Sequence, residues 1–362
     1  LKFVAAKYAM RLRRILLWPL SLIHGLVLYI RHGLYDHAFL KSKRPSVSTI
    51  AIGNLALGGT GKTPMLELVL RTLEGTGTLA TLSRGYGRKT TSIHEVVGND
   101  PAERSGDEPL QVKTKFPAVR VFVGADRVKA IARIQREVPG VKAVVLDDAL
   151  QHRRLDASLN ILLTTAQRPF CNDALFPAGG LRDLRSRAKA AQVVVVTKCT
   201  GEPNIMEQDH WRRRLALTEG QFLFFSGIAY EEPRTLQGAT VQVGPLQASS
   251  ALAFTGIAQP EPFVQHVRSL FGSTTHIAFA DHHAFSPADL KRLADVFGSF
   301  AAGPKTLITT EKDAARLRSV IEGSPLHGLP LVVIGMRTVI LNEPDRFVEL
   351  IRHHVATYPA YR

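Results

Sequence analysis

Cysteine is nearly absent from this 362-residue chain. Cys171 and Cys199 are its only two. Two are too few for a disulfide framework, and their spacing matches no zinc pattern. Both read as small buried hydrophobes, compatible with a reducing compartment. Internal repeats and low-complexity tracts are missing as well. Acids are scarce at the start: residues 1–45 hold nine Lys or Arg against Asp36 alone, about half of the net charge of +15. The rest is ordinary globular composition, 45% hydrophobic and 21% charged. It is enough for a sizeable core and, at this length, for two domains.

A basic N-terminus attracts polyanions, either nucleic acid or an anionic membrane surface. The run between the charges decides which. Ile15 to Ile30, "ILLWPLSLIHGLVLYI", is apolar, with Arg11, Arg13 and Arg14 before it and Arg31 after it. A helix of that length spans ~24 Å, short of the roughly 20 residues that a bilayer core needs. Pro19 and His24 interrupt it, and Trp18 and Tyr29 stand near its ends, where amphipathic rings favour an interface. No small-residue cleavage site follows, which argues against a signal peptide. A buried core helix competes with the preferred reading, a membrane-associated helix in the inner leaflet with its basic residues on anionic headgroups. Nucleic acid is not an expected partner.

After Pro45 the texture becomes α/β. "VSTIAIGN", "TLATLS", "AVRVFVG", "VKAVVLDD", "LNILLTT" and "AQVVVVTK" are short continuous apolar runs separated by helical spacing. Such strands belong to a parallel sheet covered on both faces. From Gln221 the chain looks extended, with polar turns, and from about residue 249 it restarts a smaller strand–loop–helix pattern. Ser286, Pro287 and Asp289 mark a helix start there. The expected fold is two α/β/α P-loop-like domains with parallel-rich sheets, joined by a short β linker and preceded by the membrane-associated helix. The expected boundaries are 1–35 for the helix, 36–220 for the P-loop domain, 221–248 for a β ribbon and 249–362 for the smaller domain. The last helix is free to pack back on the first domain.

"GNLALGGTGKTP", Gly53 to Pro64, follows a strand and precedes a helix. That context makes a phosphate loop credible, although Ala56 stands where the general pattern has its first glycine. Gly58, Gly59 and Gly61 leave backbone N–H groups free to converge on an anion. The helix start adds its positive end. Gly58, Gly59, Thr60, Gly61, Lys62 and Thr63 are the expected phosphate ligands, with Lys62 at the β- and γ-phosphates and Thr63 on Mg²⁺. Asp147 and Asp148 end a neighbouring strand and supply metal acids. Adjacent residues of an extended chain diverge, so one faces the metal and the other supports Lys62 or nearby backbone. Asp107 in "RSGDEP" fits a helix N-cap as readily as a catalytic role. "LSRGYGRK" joins Arg84, Arg88 and Lys89 to two glycines, either a phosphate receiver or a solvated basic turn. In "ADHHAF", Asp281, His282 and His283 do not suit zinc; a base or orienting pair remains open, as does a plain loop histidine.

In order, "GNLALGGTGKTP", "SRGYGR", "GDEP", "DDALQH", "FPAGGLRD", "VVTK", "FTGIAQPEPF", "DHHAF" and "TEKDA", after the greasy basic start, resemble the tetraacyldisaccharide 4'-kinase family over most of the chain. In that family the glycine loop also begins with a small residue, so Ala56 conforms to it. The resemblance implies ATP as co-substrate, Mg²⁺, and transfer of the γ-phosphoryl group to the 4'-hydroxyl of tetraacyldisaccharide 1-phosphate in lipid A biosynthesis. It places the enzyme at the cytoplasmic face of the bacterial inner membrane. It makes Asp107 the catalytic base, oriented by His282, with Lys62 also catalytic. Arg84, Tyr86, Gln151, His152 and Arg182 become candidate substrate contacts. The chain departs from the family at Ala149–Leu150, where Gly-Phe is common, and at Gly180 and Asp183, where Pro and Glu are expected.

Two other readings compete. A membrane-bound switch ATPase shares the GGTGKT ending, but carries a lysine where this chain has Leu57. A nucleotide-binding adaptor without catalysis would be insensitive to loss of Asp107.

Overall fold

The computed structural model describes residues 2–358 except 87, 89, 99, 243–245, 248, 282 and 319, with backbone alone for 2–14 and 102. In chain order the larger unit begins with α1 (Lys2–Asp36), β1 (Ser48–Asn54), α2 (Lys62–Thr72), β2 (Leu79–Ser83), β3 (His94–Glu95), α3 (Ala102–Ser105), α4 (Asp107–Lys115) and β4 (Arg120–Val123). It continues through α5 (Arg127–Glu137), β5 (Ala143–Asp147), β6 (Leu159–Thr165), β7 (Val193–Thr197), α6 (Ile205–Arg214) and β8 (Phe222–Tyr230). The smaller unit holds β9 (Arg234–Thr235), β10 (Ser250–Thr255), α7 (Glu261–Leu270), β11 (Ser273–Ala278), α8 (Pro287–Gly298), β12 (Lys305–Thr310), α9 (Glu311–Leu317) and β13 (Leu331–Ile334). The chain then returns through β14 (Met336–Ile340) and α10 (Pro344–Thr357). The compact units are residues 1–228 with 338–362, and residues 229–337.

The larger sheet has the order β14-β8-β7-β6-β1-β5-β2-β4-β3. β1 pairs in parallel with β5 and β6, β2 with β4 and β5, and β7 with β6 and β8, while the short β3 is antiparallel to β4. Every residue of β1, β5 and β7 is buried, which is why these strands read as unbroken apolar runs. Successive strands fall on one side of β1 and then, from β6, on the other. That reversal opens a crevice beyond the carboxyl ends of β1 and β5, the usual ligand position in such sheets.

Part of the stretch expected as a ribbon, 221–248, belongs to the larger sheet. Phe222–Tyr230 is a strand of the larger sheet, with Phe224 and Phe225 in its core. Residues 338–362 also join the larger unit: Phe347, Ile351 and Val355 of α10 pack with Met65, Leu66 and Val69 of α2, and Arg352 Nε donates to Thr72 O at 2.7 Å. The smaller sheet has the order β11-β10-β12-β13-β9, parallel except for β9. Its α8 starts as the spacing predicts, with Ser286 and Asp289 forming a capping box.

α1 docks on the larger unit by a polar seam at helical spacing. Ser21 Oγ donates to Leu175 O at 3.0 Å and accepts from Ala178 N at 2.9 Å. His32 Nε2 lies 2.6 Å from Asp183 Oδ1, with both residues buried. Asp36 pairs with Arg153 at 2.7 Å. The opposite face, with Ile15, Leu16, Trp18, Leu22, Ile23, Leu26, Val27, Tyr29 and Ile30, is exposed. Ile15–Asp36 is long and apolar enough to cross a membrane by length and composition.

Candidate active site

The loop from β1 to α2 explains Ala56. Residues 55–57 run beside 180–182: Arg182 N donates to Leu55 O at 2.9 Å and Leu57 N to Gly180 O at 2.6 Å. Ala56 and Leu181 form the β-bridge between them. Position 56 is paired backbone rather than a turn, so it has no need of glycine. The turns come later, at Gly58 (φ 105°) and Gly61 (φ 87°), the left-handed region where a side chain is costly. A Cβ at residues 58, 59 or 61 would meet nothing within 4 Å. The loop therefore faces open space. Its floor is fixed by Thr197 at the end of β7, whose Oγ1 donates to Thr60 O at 2.8 Å.

Lys62 is the first residue of α2, and its Nζ lies 3.8 Å from Asp148 Oδ1. Arg182 grips the same carboxylate with both terminal nitrogens, Nη1 reaching Oδ2 at 2.8 Å. Arg182 Nη2 also donates to Asn54 O at 3.2 Å. Asp148 stands at φ 52°, so the backbone turns sharply after β5 and the two aspartates separate. Burial works to raise the Asp148 carboxyl, but the Arg182 hydrogen bonds, with Lys62, hold it below the ordinary range. Asp147 is the opposite case. Burial, helped by Glu108 and Asp148, pushes it up to about 7, against Lys62 and Arg127. Its Oδ1 is buried with no hydrogen-bond partner, as is Thr60 Oγ1. Asp147 lines a small cavity with Thr63, Ser83 and Glu108. Of the pair, Asp148 supports Lys62 and Asp147 is left with a free oxygen.

Asp107 is not the N-cap. That position is Gly106 (φ 88°), which has no side-chain cap bond, and Asp107 is the exposed first residue of α4. Its carboxylate is therefore not spent on capping. Arg84 and Tyr86 are exposed on the loop after β2, while Arg88 is folded back on Ser92 O at 2.7 Å. Gln151 Nε2 donates to Asn54 O at 2.7 Å, so Gln151 and Arg182 both brace the loop. Burial, then Arg127, hold the half-buried His152 below the usual imidazole range. His282 lies outside the described residues.

The residues that depart from the family pattern have identifiable places. Leu150 packs over Gly53, where a Cβ would lie 2.7 Å from its Cγ. Gly180 supplies the carbonyl that holds Leu57, and Asp183 meets His32. None of these contacts displaces Lys62, Thr63 or Asp147.

The family model described as tetraacyldisaccharide-1-P 4'-kinase matches residues 13–356. The chain belongs to the tetraacyldisaccharide 4'-kinase family. It is 37% identical over 351 residues to a tetraacyldisaccharide 4'-kinase of Bacteroides fragilis, covering 94% of this chain and 92% of that one. It is 38% identical over 338 residues to one of Flavobacterium johnsoniae, covering 93% and 96%. Among solved structures it resembles LpxK from Aquifex aeolicus, described as an "apo" form in complex with ATP. The TM-score is 0.69 at 25% identity, over 94% of this chain and 99% of that one. The chain is thus an ATP-dependent kinase of lipid A biosynthesis.

Two residues beside Asp147 escape sequence reasoning. Arg127 is 3% exposed, with Nη1 donating to Gly124 O at 2.8 Å and its charge near Asp147 and Asp148. Nothing in "GADRVK" distinguishes it from a surface helix arginine. Glu108 next to Asp107 reads as a first-turn acid, yet it lies beside Asp147.

Proposed function

We propose that this kinase transfers the γ-phosphoryl group of ATP to the 4'-hydroxyl of tetraacyldisaccharide 1-phosphate, at the cytoplasmic face of the inner membrane. The observation that carries the reading is the open glycine loop with Lys62 and the divided aspartates beside it. Phosphoryl transfer passes through a loose transition state, so positioning and charge neutralisation do most of the work. The loop's backbone N–H groups and the start of α2 hold the phosphates. Lys62, kept in place by Asp148, meets the transferred charge, and Arg182 fixes Asp148. Asp107 takes the proton from the acceptor hydroxyl. Arg84, Tyr86 and His152 remain candidate contacts to the sugar and its phosphate.

The residues also suit Mg²⁺. Among the described residues no three His, Cys, Asp or Glu side chains converge as a metal cage. Mg²⁺ uses one or two protein oxygens and takes the rest from phosphates and water. A buried, unpartnered Asp147 oxygen sharing a cavity with Thr63 fits that donor set. When bound, the ion would neutralise phosphate charge.

The exposed apolar face of α1 supports membrane association: it would lie among acyl chains, with the basic N-terminus on anionic lipid. That puts the enzyme beside a substrate whose chains stay in the bilayer. The test is incubation of the full chain with labelled ATP, Mg²⁺ and tetraacyldisaccharide 1-phosphate in detergent micelles. A bisphosphate product is expected; folded protein that forms none would refute the proposal.

A further inference from the structure

A second polar cluster lies outside the phosphate loop, in the segment that leads into Asp107. Ser105 is fully buried, and Asp100 and His94 nearly so. Ser105 Oγ donates to Asp100 Oδ2 at 2.7 Å. The same carboxylate accepts from Val97 N at 3.1 Å and from Arg104 Nη1 at 3.0 Å. Ser105 Oγ also lies 3.1 Å from His94 Nε2. A hydroxyl has one proton, and Ser105 gives it to Asp100. The remaining contact therefore requires His94 Nε2–H to donate. Although the residue types are those of a nucleophilic triad, the serine's proton points at the carboxylate and its oxygen has no access to solvent. This is not a hydrolase site.

What the cluster does is fasten backbone. His94 belongs to β3 and is paired with Val123 of β4, so the network ties α3 to the sheet. Thr90 Oγ1 adds a bond to Arg104 O at 3.1 Å. The loop after β2 then lies tightly against this anchored turn. A Cβ on Gly85 would come 3.1 Å from Ser105 O, and one on Gly106 would come 3.1 Å from Tyr86 O. Both glycines have positive φ, 69° and 88°. One residue, Gly106, separates the fixed Ser105 from Asp107.

We propose that Asp100, Ser105 and His94 form a buried positioning device that holds Asp107 for proton abstraction. The inference rests on the reading of Asp107 as base. Misplacement of a reacting group by about 1 Å costs on the order of 10²-fold in rate, so releasing this turn is felt in kcat. Lys62 and the glycine loop lie on other elements, and ATP binding is unaffected.

The experiment measures kcat and KM in the micelle assay for wild type, Ser105→Ala, Asp107→Ala and the double variant. Ser105→Ala is expected to lower kcat roughly ten- to a hundredfold with KM for ATP unchanged. If Ser105 acts through Asp107, the double variant is no slower than Asp107→Ala alone. A wild-type kcat in Ser105→Ala, or losses that multiply in the double variant, would overturn the proposal. Should Ser105→Ala lose its cooperative melt, Asp100→Asn, which keeps the shape and weakens the acceptor, is judged by the same criteria. Failure of the underlying reading looks different: a product-free wild type, or Asp107→Ala at the wild-type rate, removes the base and this device with it.

Discussion

The three loop glycines separate folding from binding, and alanine substitution at each tests the phosphate loop. Gly58 and Gly61 have φ of 105° and 87°, where an L-residue costs about 1–2 kcal/mol. In a unit of this size each kcal/mol moves Tm by about 2–4 °C. Gly58→Ala and Gly61→Ala should therefore melt roughly 2–8 °C lower without nucleotide. Gly59 lies outside the left-handed region and its Cβ would meet nothing within 4 Å. Gly59→Ala should leave apo stability unchanged or raise it by about 0.4–1 kcal/mol, since alanine restricts the unfolded chain. Its methyl would, however, stand in the space facing the loop N–H groups. Loss of one charge-assisted hydrogen bond is worth about 1.5–3 kcal/mol, so ATP affinity should fall roughly ten- to a hundredfold. Thermal melts and equilibrium ATP binding on the same preparations give both numbers. If Gly59→Ala bound ATP as wild type does, the loop would not be the phosphate cradle.

Two further outcomes follow from the smaller unit and from α1. Hydrogen bonds from the Ser286 hydroxyl and N–H, with His283, hold Asp289 at about 2. A carboxyl depressed in the folded state contributes stability above its unfolded value, about 3.9, and loses it as pH falls towards 2. Urea midpoints should thus drop between pH 4 and 2 in wild type and less steeply in Asp289→Asn; equal slopes would remove the cap from the acid transition. On α1, Ile23 and Leu26 are 61% and 59% exposed and take no part in the Ser21–His32 seam. The Ile23→Asp, Leu26→Asp variant should melt as wild type but bind phosphatidylethanolamine–phosphatidylglycerol vesicles at least about tenfold more weakly, since each buried apolar side chain contributes about 1.5–3 kcal/mol. Unchanged vesicle binding would refute insertion of that face.

How much of this was legible depended on whether the determining contact was local. β1, β5 and β7 were readable because strands buried on both faces carry unbroken apolar runs. Phe222–Phe225 carries the same signal, but the polar turns after it suggested a ribbon, and no local pattern says which sheet a strand joins. Asp107 was misplaced by one position as a cap because Gly106, at φ 88°, performs the turn without a side chain. Arg182 meets Asp148 across 34 residues, and Arg127 is buried with its guanidinium on the carbonyls of Gly124 and, 20 residues away, Asp147. Neither is predictable from spacing.

Ala56 shows the same division from the other side. A motif letter is shorthand for a backbone requirement. The first glycine of the general loop stands where most such chains turn. Here residues 180–182 pair with 55–57 and carry the backbone past that point, and the turn moves to Gly58. The partner strand therefore frees position 56 from glycine, and it also delivers Arg182 to Asp148 and Asp183 to His32. A single segment thus shapes the glycine loop, fixes the carboxylate beside Lys62 and seats the apolar helix. Loop, lysine partner and apolar helix share one support, so a change in residues 180–183 should disturb all three together.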